Sequence, residues 1–460
     1  MRYVSTRGGV EPMTFSQAVM MGLATDGGLL LPERIPVVAP AVLRQWSGLT
    51  FQQLAVEVMA LFMTPGDPVA GRLEELVIRS FATFTHPEVT PVTPVGEHWL
   101  LELFHGPTLA FKDVALQLLG NLFEALLADH GGQMNILGAT SGDTGSAAIH
   151  GVRGKKGIRI FILHPHGRVS PIQERQMTTV LDSNVHNIAI RGSFDDGQRI
   201  VKELFNDLAF KETYRLGAVN SINWARILAQ IVYYFYAWAR TADGNTERKA
   251  AFSVPTGNFG DIFAGYMAMR MGLPVDRLVL ATNCNDILVR FMETGVYRAG
   301  TVQPSLSPSM DIQISSNFER FLYYLLGEDA EAVRERMTRL QQEGLFAIGE
   351  EKRREAAAIF TARRVSEEAT LHRIHATWMA HGILLDPHTA VGVEAAREFP
   401  GMICLATAHP AKFGMAVERA IGMPPAMPPA LEGLLSLPAR CRVVAPETEA
   451  VRKCIRESAG

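Results

Sequence analysis

Residues 134–152 read MNILGATSGDTGSAAIHGV, and this stretch decides the fold. A short apolar run, Met134 to Leu137, precedes a glycine-rich turn, and an apolar segment, Ser146 to Val152, follows it. This order predicts a buried strand, a tight turn and a helix, which together make half of a βαβ unit. Glycines in the turn let backbone N–H groups point into one concavity, where they can bind an anion.

The same alternation of strand and helix continues on both sides of this unit. Further elements are predicted as strands at 99–103, 158–163, 185–190, 252–254 and 278–281, and as helices at 114–127, 198–205, 224–238 and 262–271. Short apolar strands separated by helices indicate an α/β protein with parallel sheets and helices on both faces. Because ligands of such folds bind beyond the carboxyl ends of the strands, the strand-to-helix turns are the candidate functional sites.

Three regions outside this alternation have a distinct composition. Residues 1–90 predict a mostly helical N-terminal domain, because apolar residues recur there at helical spacing and prolines follow at 87, 91 and 94. Residues 328–368 are rich in Glu and Arg, which predicts a solvent-exposed helical segment on the surface. The proline-rich residues 424–438 predict a surface extension.

Composition excludes several classes of function. The 460 residues carry 44 Lys and Arg against 47 Asp and Glu, so no basic excess exists to bind nucleic acid. The most apolar helical stretch, residues 227–238, is shorter than the roughly 20 residues that span a bilayer, so no membrane partner is expected. The four cysteines are far apart, which favours a reducing, cytoplasmic location and predicts neither a disulfide framework nor a metal site.

A second glycine-rich turn, PTGNFGD at residues 255–261, follows the predicted strand that ends at Val254. Neither turn matches the P-loop or the dinucleotide-binding fingerprint. Either turn alone could be only a tight connection. Two such turns, both rich in hydroxyl or amide side chains, favour two anion sites.

The third feature is LFHGPTLAFKD at residues 103–113, where Lys112 lies between Phe111 and the apolar face of a predicted helix. A lone lysine of this kind usually packs its stem and extends its ammonium to water. Apolar neighbours, however, favour the neutral amine that forms Schiff bases. One such lysine and two anion sites together indicate a pyridoxal-phosphate enzyme that acts on a phosphorylated amino acid. A non-catalytic phosphate- or nucleotide-binding module remains an alternative, although it explains the turns but not the lysine.

The chain resembles the threonine synthases of the longer bacterial and fungal type over nearly its whole length. The segments that carry the resemblance are residues 3–8, 26–29, 101–113, 140–145, 253–261, 311–316, 386–390 and 405–413. The resemblance implies a fold type II pyridoxal-phosphate enzyme. It also implies a large cofactor-binding α/β domain, residues 91–128 and 217–460, and a smaller mobile α/β domain, residues 129–216.

The resemblance also implies roles for individual residues. Lys112 would form the Schiff base with pyridoxal 5'-phosphate and then move protons. The residues expected to bind the cofactor with it are Asp143, Gly257, Asn258, Phe259, Gly260, Asp261 and Thr407. Those expected to bind the substrate are Thr140, Ser141, Gly142 and Thr144 at its carboxylate, and Asn220, Ser221 and Arg226 at its phosphate. Five further positions are assigned no direct role. Phe104, Tyr233 and Tyr234 are interpreted as core residues, and His409 and Lys412 as structural residues, with a place beside the cofactor ring as the alternative.

The implied reaction converts O-phospho-L-homoserine and water to L-threonine and phosphate by β,γ-replacement. Its closest rivals are a phospho-lyase or a serine/threonine dehydratase that releases 2-oxobutyrate, because these reactions diverge only after a shared intermediate. The chain is expected to act as a monomer or a homodimer.

Overall fold

Two sheets carry the fold, and the predicted alternation of strands and helices is confirmed. The computed structural model describes residues 1–459. Its strands are β1 Tyr3–Ser5, β2 Leu30–Pro32, β3 Val92–Val95, β4 His98–Glu102, β5 Met134–Ala139, β6 Ile158–Pro165, β7 Val185–Ile190, β8 Leu216–Gly217, β9 Ala250–Pro255, β10 Val275–Thr282, β11 Val296–Arg298, β12 Leu345–Ala347, β13 Phe360–Arg364, β14 Ile403–Ala406 and β15 Arg442–Val444.

Helices cover both faces of these sheets, as the apolar strands require. The α-helices are α1 Phe15–Met21, α2 Pro40–Trp46, α3 Phe51–Ala60, α4 Leu73–Phe81, α5 Lys112–His130, α6 Asp143–Val152, α7 Pro171–Thr178, α8 Phe194–Asn206, α9 Leu208–Thr213, α10 Trp224–Ala242, α11 Gly260–Arg270, α12 Ile287–Thr294, α13 Phe318–Leu325, α14 Ala330–Glu343, α15 Glu350–Ile359, α16 Glu367–His381, α17 Pro387–Ala396, α18 Gly414–Ile421 and α19 Thr448–Ala459. Short 3₁₀ helices cover Ala70–Arg72, Pro308–Met310, Pro410–Phe413, Pro429–Leu431 and Leu434–Ser436.

The larger sheet brings three loops to one edge. Its strand order is β13-β10-β9-β14-β4-β3, and all neighbours are parallel except β3, which runs antiparallel to β4. Strands β4, β14 and β9 are adjacent, so the loops that follow Glu102, Ala406 and Pro255 leave the same edge. The first of these loops leads to Lys112, the second contains Thr407 and the third forms the second glycine-rich turn.

The smaller sheet is completed by the end of the chain, which corrects one prediction. Its order is β15-β7-β6-β5-β8, and every neighbouring pair is parallel. The sequence places residues 217–460 entirely in the large domain, but β15 pairs with β7, and Val451 and Ile455 of α19 are buried in the core of the smaller sheet. A three-residue strand is too short to give a periodic signal. The other predicted domain boundaries stay a prediction.

Two predicted surface segments are more deeply packed than their composition suggests. Residues 328–368 do contain α14 and α15, but β13 in the same segment pairs with β10 at the edge of the larger sheet, where Phe360 is buried. Charged residues on both sides of β13 hide its signal. In the proline-rich segment, Leu431 and Leu434 pack against Leu109 in a small buried cluster, so the segment is not only a surface extension.

The N-terminal region is mostly helical, as predicted, and shares its core with the larger sheet. The ring of Tyr3 in β1 lies 6.0 Å from that of Trp224 in α10, and Phe51 of α3 lies 5.4 Å from Tyr236 of the same helix. Helix α10 is buried along almost its whole length. None of the described helices combines the length and the apolar character needed to cross a membrane.

Candidate active site

Lys112 is the first residue of α5, and the loop before it is fastened to the loop after β14. The amide of Phe111 donates to the Thr407 carbonyl at 2.8 Å, and the amide of His409 donates to the Leu109 carbonyl at 3.0 Å. Leu109 has a φ of 59°, a left-handed conformation that costs a non-glycine residue about 1–2 kcal/mol. Such strain persists only where the surroundings over-determine it, and it is common at functional sites.

Asp113 holds the same loop from the other side of Lys112. Its carboxylate accepts hydrogen bonds from the Thr108 amide, at 2.8 Å, and from the Thr108 hydroxyl, at 2.7 Å. Burial raises the pKa of Asp113 to about 6, against the opposing effect of the Thr108 hydrogen bonds and the Lys412 charge. The Asp113 side chain therefore stabilises the conformation of the loop that leads to Lys112.

The amine of Lys112 is buried among charges of both signs. Its Nζ lies 3.8 Å from Asp143 Oδ2 and 4.7 Å from the centre of the Phe111 ring. Burial lowers the pKa of Lys112, and the charges of Lys412 and Arg226 lower it further, while Asp143 opposes them. A lysine with a lowered pKa has more of the neutral amine that attacks an aldehyde.

Lys412, for which the sequence favours a structural role, also contacts Asp143 and so lies at the same site as Lys112. Its fully buried Nζ lies 2.8 Å from Asp143 Oδ1 and 2.6 Å from the Thr108 carbonyl oxygen. Burial alone would raise the pKa of Asp143, but the Lys412 and Lys112 ammonium groups keep it well below its usual range. The position of Lys412 just beyond the carboxyl end of β14 is the sequence signal that could have identified it.

The first glycine-rich turn lies between β5 and α6, as predicted. The Thr140 hydroxyl accepts hydrogen bonds from the amides of Gly142, at 3.0 Å, and Gly145, at 2.9 Å. Gly142 has a φ of 152°, and a Cβ there would lie 2.5 Å from the side chain of Gln173. Thr140 therefore shapes the turn, while Ser141 is exposed and Thr144 is half-buried.

The second glycine-rich turn fits a phosphate group. The amide groups of residues 257–260 donate to no atom among residues 1–459; Gly260 is the first residue of α11, and the other three lead into it. A Cβ on Gly257 would lie 2.8 Å from the Ser309 carbonyl oxygen, so only glycine allows this close approach. Phe259 has a left-handed φ of 63°, with its ring packed against those of Phe318 and Phe360. The turn is thus a rigid, positively polarised cradle.

Asp261 lies in the first turn of the helix that follows. Its Oδ1 accepts hydrogen bonds from the hydroxyls of Tyr233 and Tyr234, while its buried Oδ2 has no hydrogen-bond partner among residues 1–459. Burial raises its pKa to about 6, even though both tyrosine hydrogen bonds lower it. Tyr233 and Tyr234 are buried, as predicted, and they also orient Asp261.

Arg226 is a buried cation without an anionic partner among residues 1–459. It lies in the first turn of α10 and is 4% exposed, and neither its Nε nor its Nη1 has a hydrogen-bond partner in the described chain. Burial lowers its pKa to about 10. Leaving a buried charge unpaired is costly. This arrangement indicates that Arg226 is built to receive an anion.

Asn220 and Ser221 lie beside the second glycine-rich turn, although they are far from it in sequence. The Ser221 hydroxyl lies 2.8 Å from that of Ser316, which in turn donates to the Asn258 side chain at 3.1 Å. Asn317 donates to the carbonyl oxygens of both Ser221, at 3.2 Å, and Asn258, at 3.1 Å. The two predicted phosphate-binding segments are therefore part of one hydrogen-bonded unit.

Thr407 is held at the end of β14 by a buried network. Its amide donates to the Thr389 hydroxyl at 3.1 Å, and that hydroxyl donates to the carboxylate of Asp386. Asp386 is fully buried and also lies 2.7 Å from Nδ1 of His388. The sequence motif at residues 386–390 thus positions Thr407.

Sequence reasoning missed Gln173, Asn317 and Arg320, whereas it identified Lys412 but not its contact with Asp143. Gln173 donates to Asp143 Oδ1 at 2.8 Å, and Arg320 donates to the Asn317 side chain and to the Leu30 carbonyl. Each stands alone in its sequence neighbourhood, so only the folded chain shows its role.

Comparison with known families agrees with this geometry. Residues 90–350, more than half of the chain, match the family described as pyridoxal-phosphate dependent enzyme. Residues 2–81 match the threonine synthase N terminus, and residues 389–455 match the threonine synthase C-terminal family. The chain belongs to the threonine synthase family.

Similar threonine synthases cover the chain almost end to end. That of Pseudomonas aeruginosa is 49% identical over 99% of this chain and 98% of its own, and that of Saccharomyces cerevisiae is 47% identical over 91% and 89%. The crystal structure of pyridoxal-phosphate-bound threonine synthase from Brucella melitensis is 47% identical and superposes with a TM-score of 0.97 over 100% of this chain and 99% of that one. The fold is therefore fold type II, and the protein is a pyridoxal-phosphate-dependent lyase of the threonine synthase family.

Proposed function

We propose that this enzyme uses Lys112 and Arg226 to convert O-phospho-L-homoserine and water to L-threonine and phosphate. The observation that supports the proposal most strongly is the buried guanidinium of Arg226, two nitrogens of which have no hydrogen-bond partner among residues 1–459. Its charge contributes to the lowered pKa of the buried Lys112 amine. The chain thus supplies a buried amine for Schiff-base formation and a buried cation for a phosphate. This pairing suits an amino acid with a phosphate on its side chain.

The chain offers a place for each part of the cofactor. The amide groups of residues 257–260 would hold its phosphate, Thr407 its ring nitrogen and Asp143 its ring oxygen, while Lys112 would bind its aldehyde carbon. When bound, pyridoxal phosphate supplies an electron-withdrawing ring that stabilises negative charge at the substrate α-carbon. The raised pKa of Asp261, a carboxyl in the first turn of α11, lets it become neutral below about pH 6, which reduces its repulsion of a phosphate.

The remaining residues would bind and orient the substrate. Arg226, with Asn220 and Ser221, would bind its phosphate, because a guanidinium can donate two parallel hydrogen bonds to such a group. Thr140, Ser141, Gly142 and Thr144 of the first glycine-rich turn would bind its carboxylate. Lys112 would then remove the proton from Cα and next one from Cβ. It would return one proton to Cγ after the phosphate has left, and one to Cα after water has added at Cβ. Arg226 would stabilise the phosphate as it leaves.

Product analysis tests this proposal against its rivals. The holoenzyme is incubated with O-phospho-L-homoserine, and threonine, inorganic phosphate, 2-oxobutyrate and ammonia are measured. We expect threonine and phosphate in equal amounts, and neither product from the matched Lys112→Ala variant. Formation of 2-oxobutyrate and ammonia in place of threonine would show a phospho-lyase. A chain that binds phosphate but forms no product would be a binding module.

We also propose that the enzyme acts in the cytoplasm as a monomer or homodimer. The absence of disulfides among its described cysteines supports a reducing compartment. Light scattering of the purified holoenzyme measures its mass, and a mass above two chains would contradict the proposed assembly.

A further inference from the structure

Asp143 is shared between two buried lysines. Its Oδ1 lies 2.8 Å from the Nζ of Lys412, and its Oδ2 lies 3.8 Å from the Nζ of Lys112. The side chain of Lys412 is fully buried and that of Asp143 is 4% exposed. Charges interact several-fold more strongly in such surroundings than in bulk water, so each lysine affects the other through the carboxylate between them.

The contacts of Lys412 join three segments of the site. Lys412 follows β14 of the larger sheet, whereas Asp143 begins α6, after β5 of the smaller sheet. Lys412 also donates to the Thr108 carbonyl at 2.6 Å, in the loop that leads to Lys112. Because Gln173 donates to the same Oδ1 at 2.8 Å, this oxygen has two donors and Oδ2 is left facing Lys112.

We propose that Lys412 is a positioning residue that holds Asp143 by Oδ1, directs Oδ2 toward the Lys112 nitrogen and offsets part of the carboxylate charge there. The proposal rests on the proposed role of Lys112 in binding the cofactor. Its consequence is that a proton on the Lys112 nitrogen is held less tightly than Asp143 alone would hold it. A nitrogen that must gain and lose protons in every turnover benefits from this balance.

Other charges also face Lys112, and they stay in place when Lys412 is changed. Arg226 on α10 is a second cation, while Asp113 on α5 and Asp261 on α11 are carboxyl groups. Burial is the main cause of the lowered pKa of Lys112, and Lys412 adds to it while Asp143 opposes it. Removal of the Lys412 charge alone is therefore expected to raise the pKa of the nitrogen at position 112.

A pH titration of the holoenzyme tests the proposal. The visible absorbance of the Schiff base between Lys112 and the cofactor changes when its nitrogen loses a proton, so its midpoint reports that pKa. We expect the midpoint to rise by about one pH unit in Lys412→Met and in Lys412→Gln. Lys412→Gln keeps hydrogen-bond donors for Asp143 and Thr108, so it can be titrated in place of Lys412→Met if that variant is unstable.

Lys155→Met is the matched control. Lys155 is another largely buried lysine beside a carboxylate, with its Nζ 3.7 Å from Glu124 Oε2, and it contacts Asn121, about 14 Å along α5 from Lys112. We expect its titration to match that of the wild type. A shift of the same size in Lys155→Met would overturn the proposal, because it would show a non-specific effect.

Three further outcomes would overturn it. An unchanged or lower midpoint in the Lys412 variants would show that Lys412 has no such effect on Lys112. A Lys412→Gln variant that folds but binds no cofactor would show that Lys412 is needed for binding itself. Absence of folded protein from both variants would give Lys412 a purely structural role. The titration needs no substrate, so a wild type that forms no threonine would contradict the proposed function but leave this result interpretable.

Discussion

At the scale of single residues, two buried arginines show the difference between a structural and a functional charge. Arg320 is fully buried and donates to the carbonyl oxygens of Leu30 and Ile222 and to the Asn317 side chain. Arg226 is almost as deeply buried, but two of its nitrogens have no partner in residues 1–459. The folded chain supplies hydrogen-bond acceptors for the Arg320 guanidinium, whereas the Arg226 guanidinium is available to a ligand.

Substitution of each arginine by methionine separates these roles. Arg320→Met leaves buried carbonyl oxygens without donors, so it should lower the free energy of unfolding by about 3 kcal/mol or more. Arg226→Met removes an unpaired buried charge, so it should leave the stability of the ligand-free enzyme unchanged or higher, while kcat/KM for O-phospho-L-homoserine falls about 100-fold or more. Urea unfolding and steady-state kinetics measure the two effects. Equal destabilisation by both substitutions would contradict this distinction.

Asp261 predicts a pH dependence of stability. Burial raises its pKa to about 6 in the folded chain, from an ordinary value of 3.8. The stability that protonated Asp261 contributes to the folded state is therefore fully present below about pH 3.8. It is lost as the pH rises through 6. Asp261→Asn can still accept the two tyrosine hydrogen bonds, and it should exceed the wild type in stability by up to about 3 kcal/mol at pH 8.

Urea unfolding of the two apoproteins at pH 5 and pH 8 checks this prediction. The difference in stability between variant and wild type should grow by about 1 kcal/mol over this range, because the wild type alone carries the buried carboxyl. A difference that stays constant with pH would show that Asp261 keeps its ordinary pKa.

At the scale of elements, the end of the chain completes a sheet that the sequence assigns to other residues. Helix α19 places Val451 and Ile455 in the same core as Leu204 of α8, and β15 covers the edge of β7. An uncovered β7 would expose unpaired backbone groups and apolar side chains. The smaller sheet therefore depends on residues about 250 positions further along the chain.

A large-to-small substitution in α19 tests this dependence. Ile455 is fully buried, so Ile455→Ala should lower the free energy of unfolding by about 2–5 kcal/mol. Lys453 lies on the same helix with a largely exposed side chain, and Lys453→Ala should change stability by no more than about 0.5 kcal/mol. Denaturant unfolding measures both. If Ile455→Ala behaved like Lys453→Ala, α19 would not be part of this core.

The elements also show what the sequence could predict. The strands at 134–137 and 158–163 and the helix at 224–238 are confirmed, because long apolar or periodic runs depend on local sequence. Strand β13 and strand β15 were missed, because short edge strands among charged residues have no such pattern. The glycine-rich turns were located by their composition, whereas the contact between Lys412 and Asp143 joins residues 269 positions apart and depends on tertiary structure.

At the scale of the whole molecule, the N-terminal region does not have a core of its own. Tyr3 and Phe51 pack against rings of α10, and Arg7 pairs with Glu319 at 2.8 Å. Thr6 donates to the same carboxylate at 2.6 Å. The N-terminal motif at residues 3–8 thus attaches this region to the cofactor-binding part of the chain.

Expression of residues 1–90 alone tests this conclusion. Without α10 the fragment would expose the apolar faces of its helices, so we expect no cooperative thermal transition and little helical circular dichroism. The full chain, measured in the same buffer, should show a cooperative transition. A fragment that unfolds cooperatively would prove to be an independent domain.

Lys112, and not the neighbouring Lys412, is expected to bind the cofactor. Both amines lie within 4 Å of Asp143, so identification of the modified lysine distinguishes them. The holoenzyme is reduced with borohydride, which fixes the Schiff base as a stable amine, and its peptides are analysed by mass spectrometry. We predict a pyridoxyl group on the peptide that contains Lys112. A pyridoxyl group on Lys412, or on neither lysine, would contradict the account.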